Sequence, residues 1–464
     1  MNITKPYPLR ISLLALALSL SACNDQTTQQ SDASQTSKSL AETLQDEDQQ
    51  AALYDQADSL WYLENERAKR LAAGETTAEN FIQNSPNTLQ SRRTVGDYSF
   101  TPAAVPPVSR AGQLLNLPDP GATPRFAVNG LQWPANVGDL SISMWSKDKV
   151  AAFSLTIDDN HVQDHPFWYE MAAQYGWKWT WFLIANQVGW SSADHWGNWQ
   201  KALDQGHDIQ SHTETHLCDA LFYNTREYRQ PQVEIENNLA TAKVRTLAYP
   251  FGITSDKKGS PCEPVISDRT KNSRVEAAKY YLAARDVYGA LSSPAKLDYM
   301  KVPSVSAARN FLNAQAPWAY FDSVFNPSST NYRTWYVVHY HNVPTDAAKN
   351  EVRQVLAHLK EVEDKVWVGT FTQVAKYGQE YATAKIVNLQ KTANSLRFEL
   401  KDQMNDAWFD EPLTLKLRLP DAWSGSLSIQ QNAISRDVRT IQSQGGTYAL
   451  FEVVPDRGVV NITY

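Results

Sequence analysis

Two short stretches of this chain combine carboxylates and imidazoles at spacings that suit a divalent metal ion. Asp158 and Asp159 directly follow a continuous apolar run at 150–157. Neighbouring strand residues point to opposite faces, so one carboxylate can bind a metal while the other faces another part of the pocket. His212 and His216 are four residues apart, which places both imidazoles on one face if the segment is helical. Together these residues predict a Zn²⁺-type site with positions open for water and substrate.

The elements around these residues predict an α/β fold. Between residues 126 and 384, strand-like apolar runs alternate with helix-like segments. The run at 150–157 is followed by a helix at 166–175, an aromatic strand at 177–184 and a further helix at 199–203. This order indicates parallel strands in an α/β barrel or an open sheet. In both architectures functional sites collect at the carboxyl ends of the strands.

A different pattern begins near Lys385. Short, often alternating apolar runs separated by turns fill residues 385–464 and predict a small β-sandwich accessory domain.

Five motifs, in order, resemble those of the polysaccharide deacetylases, the NodB-homology domain of carbohydrate esterase family 4. They lie at 156–159 (Thr-Ile-Asp-Asp), 206–216 (including His-Thr-Glu-Thr-His), 247–252 (Leu-Ala-Tyr-Pro-Phe-Gly), 283–285 (Ala-Ala-Arg) and 337–343 (Val-Val-His-Tyr-His-Asn-Val). The resemblance covers about half of the chain and implies a distorted (β/α) barrel catalytic domain at 126–384. It also implies a hydrolase that removes N- or O-acetyl groups from a carbohydrate.

The resemblance assigns roles by position. Asp159, His212 and His216 would bind the metal, by default Zn²⁺, with Co²⁺ or Ni²⁺ as alternatives. Asp158 would be the general base that takes a proton from the attacking water. Arg285 would hold Asp158 in its charged form through a charge-assisted hydrogen bond.

The remaining roles concern the acetyl group and the leaving group. The backbone N–H of Phe251, which follows Pro250, would stabilise the oxyanion, and Tyr249 would pack beneath the site. His341 would protonate the leaving atom, although His339 is an alternative acid in the same motif.

Two residues depart from the family pattern. Ala248 stands where the third motif commonly has an arginine, and Asn160 replaces the usual glycine after the aspartates. The loop after the aspartates is therefore expected to differ from that of other family members.

Other histidines and tryptophans near the motifs are weaker candidates for site residues. His161 and His165 follow the aspartates closely, but surface or helix-start roles are favoured for both. His207 is expected to be structural. Trp190, Trp196 and Trp199 suit either the core or the wall of a sugar subsite.

The amino terminus predicts export. Residues 1–22 have a positive region and a short apolar run, and they end in Leu-Ser-Ala before Cys23, which resembles a bacterial lipobox. Lipidated Cys23 would anchor the protein to a lipid bilayer, at the periplasmic face or the cell surface. Ordinary signal cleavage, with Cys23 incidental, is the alternative. Residues 23–50 are polar and predict a flexible tether. Residues 51–125 predict a helical segment and a connection.

The charge of the chain argues against a nucleic-acid partner, and its cysteine content allows one disulfide. With 43 basic and 50 acidic residues the net charge is −7, and no basic footprint for nucleic acid is visible. After Cys23 only Cys218 and Cys262 remain. In an oxidising compartment they could form one disulfide, or they could remain two separate thiols.

Two other functional hypotheses remain open from the sequence. One is a catalytically inactive, glycan-binding surface lipoprotein, against which the complete Asp and His set argues. The other is hydrolysis of a non-sugar amide.

Overall fold

The computed structural model describes residues 133–190, 193–216, 225–252, 277, 280–287, 297–306 and 318–463. The predicted signal peptide, tether and helical segment, together with Cys23, Cys218 and Cys262, lie outside these residues. Within the described part of the chain, no helix has the length and apolar character needed to cross a bilayer.

A curled parallel sheet forms the centre of the larger domain. Its strands are β2 (Ala151–Asp158), β3 (Thr180–Leu183), β4 (Asp208–Ser211), β5 (Thr246–Ala248), β6 (Ala283–Arg285), β7 (Val305–Ser306), β8 (Trp335–Tyr340) and β9 (Val366–Val368). Their order is β6-β5-β4-β3-β2-β8-β7. One edge of β2 pairs with β8, and the other pairs with β9 at its start and with β3 at its end.

The sheet closes into a distorted barrel. A parallel bridge joins Arg285, at the end of β6, to Val302, three residues before β7, so the last strand on one side of the sheet meets the segment that leads into the last strand on the other. Every residue of β2 is buried, as expected for a strand covered on both faces. The predicted (β/α) barrel is therefore confirmed.

Helices cover the outside of the barrel. They are α1 (His165–Tyr175), α2 (Trp196–Asp204), α3 (Gln230–Asn238), α4 (Ala319–Asp322), α5 (Asp346–Glu361) and α6 (Phe371–Thr383). Local signals fix several of their ends. Pro166 lies in the first turn of α1 and Gly176 ends it at φ 76°, a conformation that glycine adopts without strain. Thr370 and Gln373 form a capping box at the start of α6.

Two antiparallel sheets form the predicted carboxyl-terminal β-sandwich. Their strands are β1 (Leu140–Ile142), β10 (Lys385–Lys391), β11 (Ser395–Lys401), β12 (Leu413–Leu419), β13 (Ser428–Gln431), β14 (Ile434–Ser435), β15 (Val438–Ser443), β16 (Gly446–Val453) and β17 (Val459–Thr463). One sheet has the order β1-β12-β16-β15 and the other β10-β11-β17-β13-β14. Alternate residues of β11 and β17 are buried, which confirms the alternating pattern. Strand β1 precedes the barrel in sequence but pairs with β12, so this short segment contributes to the sandwich.

Buried carboxyl groups lie where α6 meets the sandwich. Glu380 of α6 is fully buried, and both of its carboxylate oxygens accept the backbone N–H of Glu411. Burial, together with the charges of Asp402 and Glu411, raises the pKa of Glu380 to about 10. This side chain is therefore protonated at neutral pH in the folded protein.

Candidate active site

The predicted site residues meet at one end of the barrel. Asp158 is the last residue of β2 and Arg285 the last of β6. His212 directly follows β4, His341 directly follows β8, and residues 250–252 follow β5. Because all of these strands are parallel, their carboxyl ends share one edge of the barrel. The structure thus brings together residues separated by up to about 180 positions.

Asp159, His212 and His216 form a cluster with metal-ligand chemistry. Their ligand atoms all lie within 4.8 Å of one another. Nε2 of His212 is 3.8 Å from Oδ1 of Asp159 and 3.0 Å from Nε2 of His216. Both histidines are buried.

The tautomer of His212 suits a cation. Its Nδ1 lies 2.9 Å from the carbonyl oxygen of Ala248, and a carbonyl oxygen only accepts, so Nδ1 carries the proton. When the ring is neutral, the lone pair is therefore on Nε2, which faces His216 and Asp159. Metal-ligating histidines commonly donate their second N–H to a carbonyl in this way. The residues present therefore fit a divalent metal ion.

The segment that carries the two histidines is a turn and not a helix, which corrects the geometry expected from their spacing. Thr213 and His216 have left-handed backbones, with φ of 68° and 55°. Non-glycine residues rarely adopt this conformation, and its cost has to be offset by surrounding contacts. The N–H of Thr213 donates to Oγ of Ser211 (3.1 Å), and the N–H of His216 donates to Oγ1 of Thr213 (3.1 Å).

A buried glutamate braces this turn from outside. Oε2 of Glu227 accepts the backbone N–H of Thr215 (3.0 Å), and Oε1 accepts its hydroxyl (2.8 Å). Sequence reasoning missed Glu227, because it lies in a π-helical segment, Thr225–Arg229, and belongs to none of the recognised motifs.

The loop after β2 is fixed by Asn160. Asp159 has a left-handed backbone, with φ of 63°. The amide of Asn160 accepts the N–H of Ile184 and donates to its carbonyl, both at 3.2 Å, and also donates to Oδ2 of Asp194 (3.2 Å). Asn160, which departs from the family pattern, therefore ties the ends of β2 and β3 together. This links the chain beside Asp159 to the neighbouring loop.

The electrostatic surroundings of Asp159 favour its carboxylate form. Burial alone would raise its pKa, but the contact with His161 and the charges of His341, His216 and His212 lower it below the usual value. Asp159 is therefore deprotonated at neutral pH, as a metal ligand must be.

Asp158 has a different partner. It is fully buried, and Oδ2 accepts a charge-assisted hydrogen bond from Nη2 of Arg285, which is also fully buried. Nη1 of Arg285 donates to Oγ of Ser304 (3.0 Å) and to the carbonyl of Asp286 (3.2 Å). On the neighbouring strand, Arg285 pairs in register with Ala248, the position where the third motif commonly has an arginine.

The two histidines of the fifth motif have different surroundings. The hydroxyl of Ser304 donates to the carbonyl of Asp286 (2.6 Å), so it accepts from Nδ1 of His339, 2.7 Å away. Burial, together with the charges of Arg285 and His341, lowers the pKa of His339 well below its usual value. Neutral His339 with its proton on Nδ1 has no proton on Nε2. His341 is partly exposed, and the two ring centroids are 6.1 Å apart.

The third motif lies against the metal-ligand cluster. The ring of Phe251 is 5.0 Å from that of His216, and Phe251 is left-handed with φ 59° inside the 3₁₀ turn Pro250–Gly252. Tyr249 is buried, and its hydroxyl donates to the carbonyl of Met300 (3.0 Å).

The other candidates from the sequence separate into core and surface residues. His165, His207 and Trp199 are buried in an aromatic cluster with Trp181, and burial lowers the pKa of His165 to about 4 and of His207 to about 3. Trp196 packs partly buried against the core. Trp190 remains 38% exposed.

The chain was compared with protein families and with known proteins, and the family match agrees with the motifs. The profile of the family described as polysaccharide deacetylase matches residues 146–260. A gellan lyase from Bacillus sp is 32% identical over 383 residues, which are 76% of this chain but only 14% of that protein.

Solved structures of deacetylases resemble the chain only distantly. A T48 deacetylase with substrate is 14% identical and covers 48% of this chain and 90% of its own, with a TM-score of 0.29. The Xyl-CE4 domain of a xylanase from the hindgut metagenome of Trinervitermes trinervoides is 14% identical and covers 48% and 89%, with a TM-score of 0.31. The peptidoglycan deacetylase PdaC of Bacillus subtilis is 12% identical and covers 50% and 93%, with a TM-score of 0.31.

Similarities as weak as these do not indicate an activity. The family of the chain is therefore assigned from the profile match and the motifs. Within the barrel, residues 146–260 belong to the polysaccharide deacetylase family.

Proposed function

We propose that this protein is a metal-dependent hydrolase that removes acetyl groups from a polysaccharide. The observation that carries the proposal is the placement of Asp159, His212 and His216 beside a second carboxylate, Asp158, that is held by Arg285. This arrangement separates a metal-binding carboxylate from a proton-accepting one, as metal-assisted hydrolysis requires.

Asp159, His212 and His216 would hold the divalent cation. Two imidazole nitrogens and one carboxylate oxygen suit Zn²⁺, and Co²⁺ and Ni²⁺ accept the same donors. When bound, such a cation makes water more acidic and polarises the acetyl carbonyl.

Asp158 would accept the proton of the attacking water. Arg285 donates to Oδ2 of Asp158, while Oδ1 accepts no hydrogen bond from the described residues. The guanidinium therefore orients the carboxylate, and Oδ1 is the oxygen that would take the proton.

Phe251 and His341 would act on the two other reacting atoms. The backbone N–H of Phe251 would donate to the carbonyl oxygen as negative charge develops there. His341 would donate a proton to the departing sugar nitrogen or oxygen. His339 is the weaker candidate for the acid, because its buried ring is neutral and its proton is held by Ser304.

A second candidate is a polysaccharide lyase, and the named relative, a gellan lyase, favours it. A lyase that acts on uronate sugars has to neutralise the substrate carboxylate before it removes the adjacent proton. A cation held by Asp159, His212 and His216 would meet that need as well, but these residues lie in the part of the chain that matches the deacetylase profile. Hydrolysis of an acetyl group therefore fits the site better, and a bacterial polysaccharide of the gellan type belongs among the substrates to test.

Acetate release from a panel of glycans tests the proposal. The panel contains N-acetylglucosamine oligomers, peptidoglycan, O-acetylated xylan and acetylated gellan, each with and without a chelator. We expect acetate from at least one glycan, loss of activity with the chelator and recovery with Zn²⁺ or Co²⁺.

Each alternative function predicts a different product or binding result in this assay. An unsaturated sugar product would indicate the lyase, and glycan retention without acetate release would indicate an inactive binding protein. Turnover of acetylated amines that carry no sugar would indicate a non-sugar amidase. Full activity after exhaustive metal removal would refute the metal mechanism.

We further propose that the protein is exported and anchored to a lipid bilayer through Cys23. The support is the lipobox-like sequence before Cys23 and the polar segment that follows it. Metabolic labelling with a radioactive fatty acid tests this, with Cys23→Ser as the variant that should lose the label.

A further inference from the structure

His161 lies beside the proposed metal ligands but has no part in the proposed reaction. Its Nε2 is 3.7 Å from Oδ2 of Asp159. This is an ion-pair distance, longer than the roughly 3 Å of a hydrogen bond. The Nε2 atom is buried and has no hydrogen-bond partner among the described residues. A buried imidazole nitrogen without a partner is uncommon and calls for an explanation.

The turn after β2 fixes the position of His161. The N–H of Val162 donates to the carbonyl of Asn160 (2.8 Å), and the N–H of Asp164 donates to the carbonyl of His161 (3.1 Å). Oδ2 of Asp164 accepts the N–H of Val343 (2.7 Å), which ties this turn to the loop after β8. The ring is therefore presented to Asp159 from a braced backbone.

The tautomer of His161 is set by Gln163. Nε2 of the Gln163 amide lies 3.1 Å from Nδ1 of His161. An amide nitrogen only donates, so Nδ1 is the acceptor and the proton of the neutral ring is on Nε2. That N–H is directed at Oδ2 of Asp159, the carboxylate oxygen opposite the one that faces His212.

His161 does not belong to the ligand set itself. Among the described residues, Asp159, His212 and His216 form a group whose ligand atoms lie within 4.8 Å of one another, and His161 is not a member of this group. In addition, a nitrogen that carries a proton cannot coordinate a cation. The geometry is that of an outer-shell donor that orients a ligating carboxylate.

We propose that His161, with its tautomer set by Gln163, is a positioning residue whose Nε2–H approaches Oδ2 of Asp159 from the present 3.7 Å to hydrogen-bond distance when a metal binds, and thereby directs Oδ1 to the metal. The inference rests on the proposed function, since it requires that Asp159 ligates a cation. Its effect is on metal affinity, because an oriented carboxylate loses less conformational freedom when it binds.

Metal dissociation constants test the proposal. The full mature protein is stripped of metal and titrated with Zn²⁺ against a chromophoric chelator. His161→Phe keeps a ring but removes the donor, and it should raise the dissociation constant about ten- to a hundredfold, the usual effect of losing an outer-shell partner. His161→Gln keeps an N–H donor of similar reach and should restore most of the affinity. The melting temperature of each metal-free variant shows whether the fold is retained.

A second histidine provides the matched control. His195 lies in the loop between β3 and α2 and is exposed. His195→Phe should leave the dissociation constant unchanged. The proposal is overturned if His161→Phe binds Zn²⁺ as tightly as the unaltered protein, or if His161→Gln is as weak as His161→Phe. If the unaltered protein binds no divalent metal, the proposed function fails together with this inference, whereas metal binding without acetate release would challenge the proposed function alone.

Discussion

The buried pair of Arg285 and Asp158 should behave as one energetic unit. Both side chains are fully buried and joined by a charge-assisted hydrogen bond. Arg285→Gln leaves a buried carboxylate without its partner, and Asp158→Asn leaves a buried guanidinium. Removing one partner of a buried ion pair costs about 3–5 kcal/mol of unfolding free energy. The double variant buries no unpaired charge, so its loss should fall short of the summed single losses by at least about 2 kcal/mol.

Urea denaturation of the three variants with a chelator present measures these losses. Arg245→Gln is the control, because Arg245 pairs with Glu236 at 2.7 Å in a partly exposed position. Its loss should be about 1 kcal/mol or less. Excess Zn²⁺ should reduce the loss caused by Arg285→Gln, because a cation next to Asp158 replaces part of the missing positive charge.

Activity separates the roles of the two residues. Asp158→Asn removes the proposed base and should lower kcat by about a hundredfold or more, while Zn²⁺ affinity stays close to that of the unaltered protein. Additive stability losses within about 0.5 kcal/mol would refute the coupling of the pair. Unchanged turnover in Asp158→Asn, or loss of metal by it but not by Asp159→Asn, would show that the roles of the two aspartates are wrongly assigned.

Three further predictions concern other parts of the chain. His341→Ala should lower kcat more than His339→Ala does at equal metal loading, and the reverse ranking in acetate-release assays would move the acid to His339. The raised pKa of Glu380, about 10, means that the folded protein keeps a proton that the unfolded chain releases above its usual 4.5. Unfolding free energy should therefore fall between about pH 5 and pH 10, by at most about 1.4 kcal/mol per pH unit, and Glu380→Gln should flatten this slope in urea titrations. Cys218 and Cys262 should form a disulfide, which mass spectrometry of the alkylated, non-reduced protein would contradict if both thiols were modified.

The main elements could be predicted from the sequence because buried positions carry apolar residues, in a continuous run where both faces are covered and in alternation where one face is exposed. The apolar run at 150–157 is strand β2, whose eight residues are all buried. The alternating runs after residue 385 are strands of the sandwich. The face that each element buries determines where its apolar residues lie, so the order of apolar residues in the sequence indicates the element.

The chemistry of the site could be predicted only in part. The types and order of Asp159, His212 and His216 identify the cluster, because few side chains suit a divalent cation. Their backbone geometry could not be predicted, and the spacing of the two histidines suggested a helix where the chain forms a turn. Periodicity describes regular elements, whereas this turn depends on a residue outside it, Glu227, which accepts two hydrogen bonds from Thr215 of the turn.

The strained loops explain why motif residues alone do not define such a site. Asp159, Thr213, His216 and Phe251 all have left-handed backbones, and each such residue costs on the order of 1–3 kcal/mol. Contacts from outside the ligand set have to offset this cost. The carbonyl of Ala248 fixes the tautomer of His212, and this contact comes from the backbone and does not require a particular side chain. The motifs therefore identify the metal-ligand residues. The orientation of these ligands depends on bracing residues that lie outside the motifs. Substitutions of these bracing residues should change metal affinity before they change the fold.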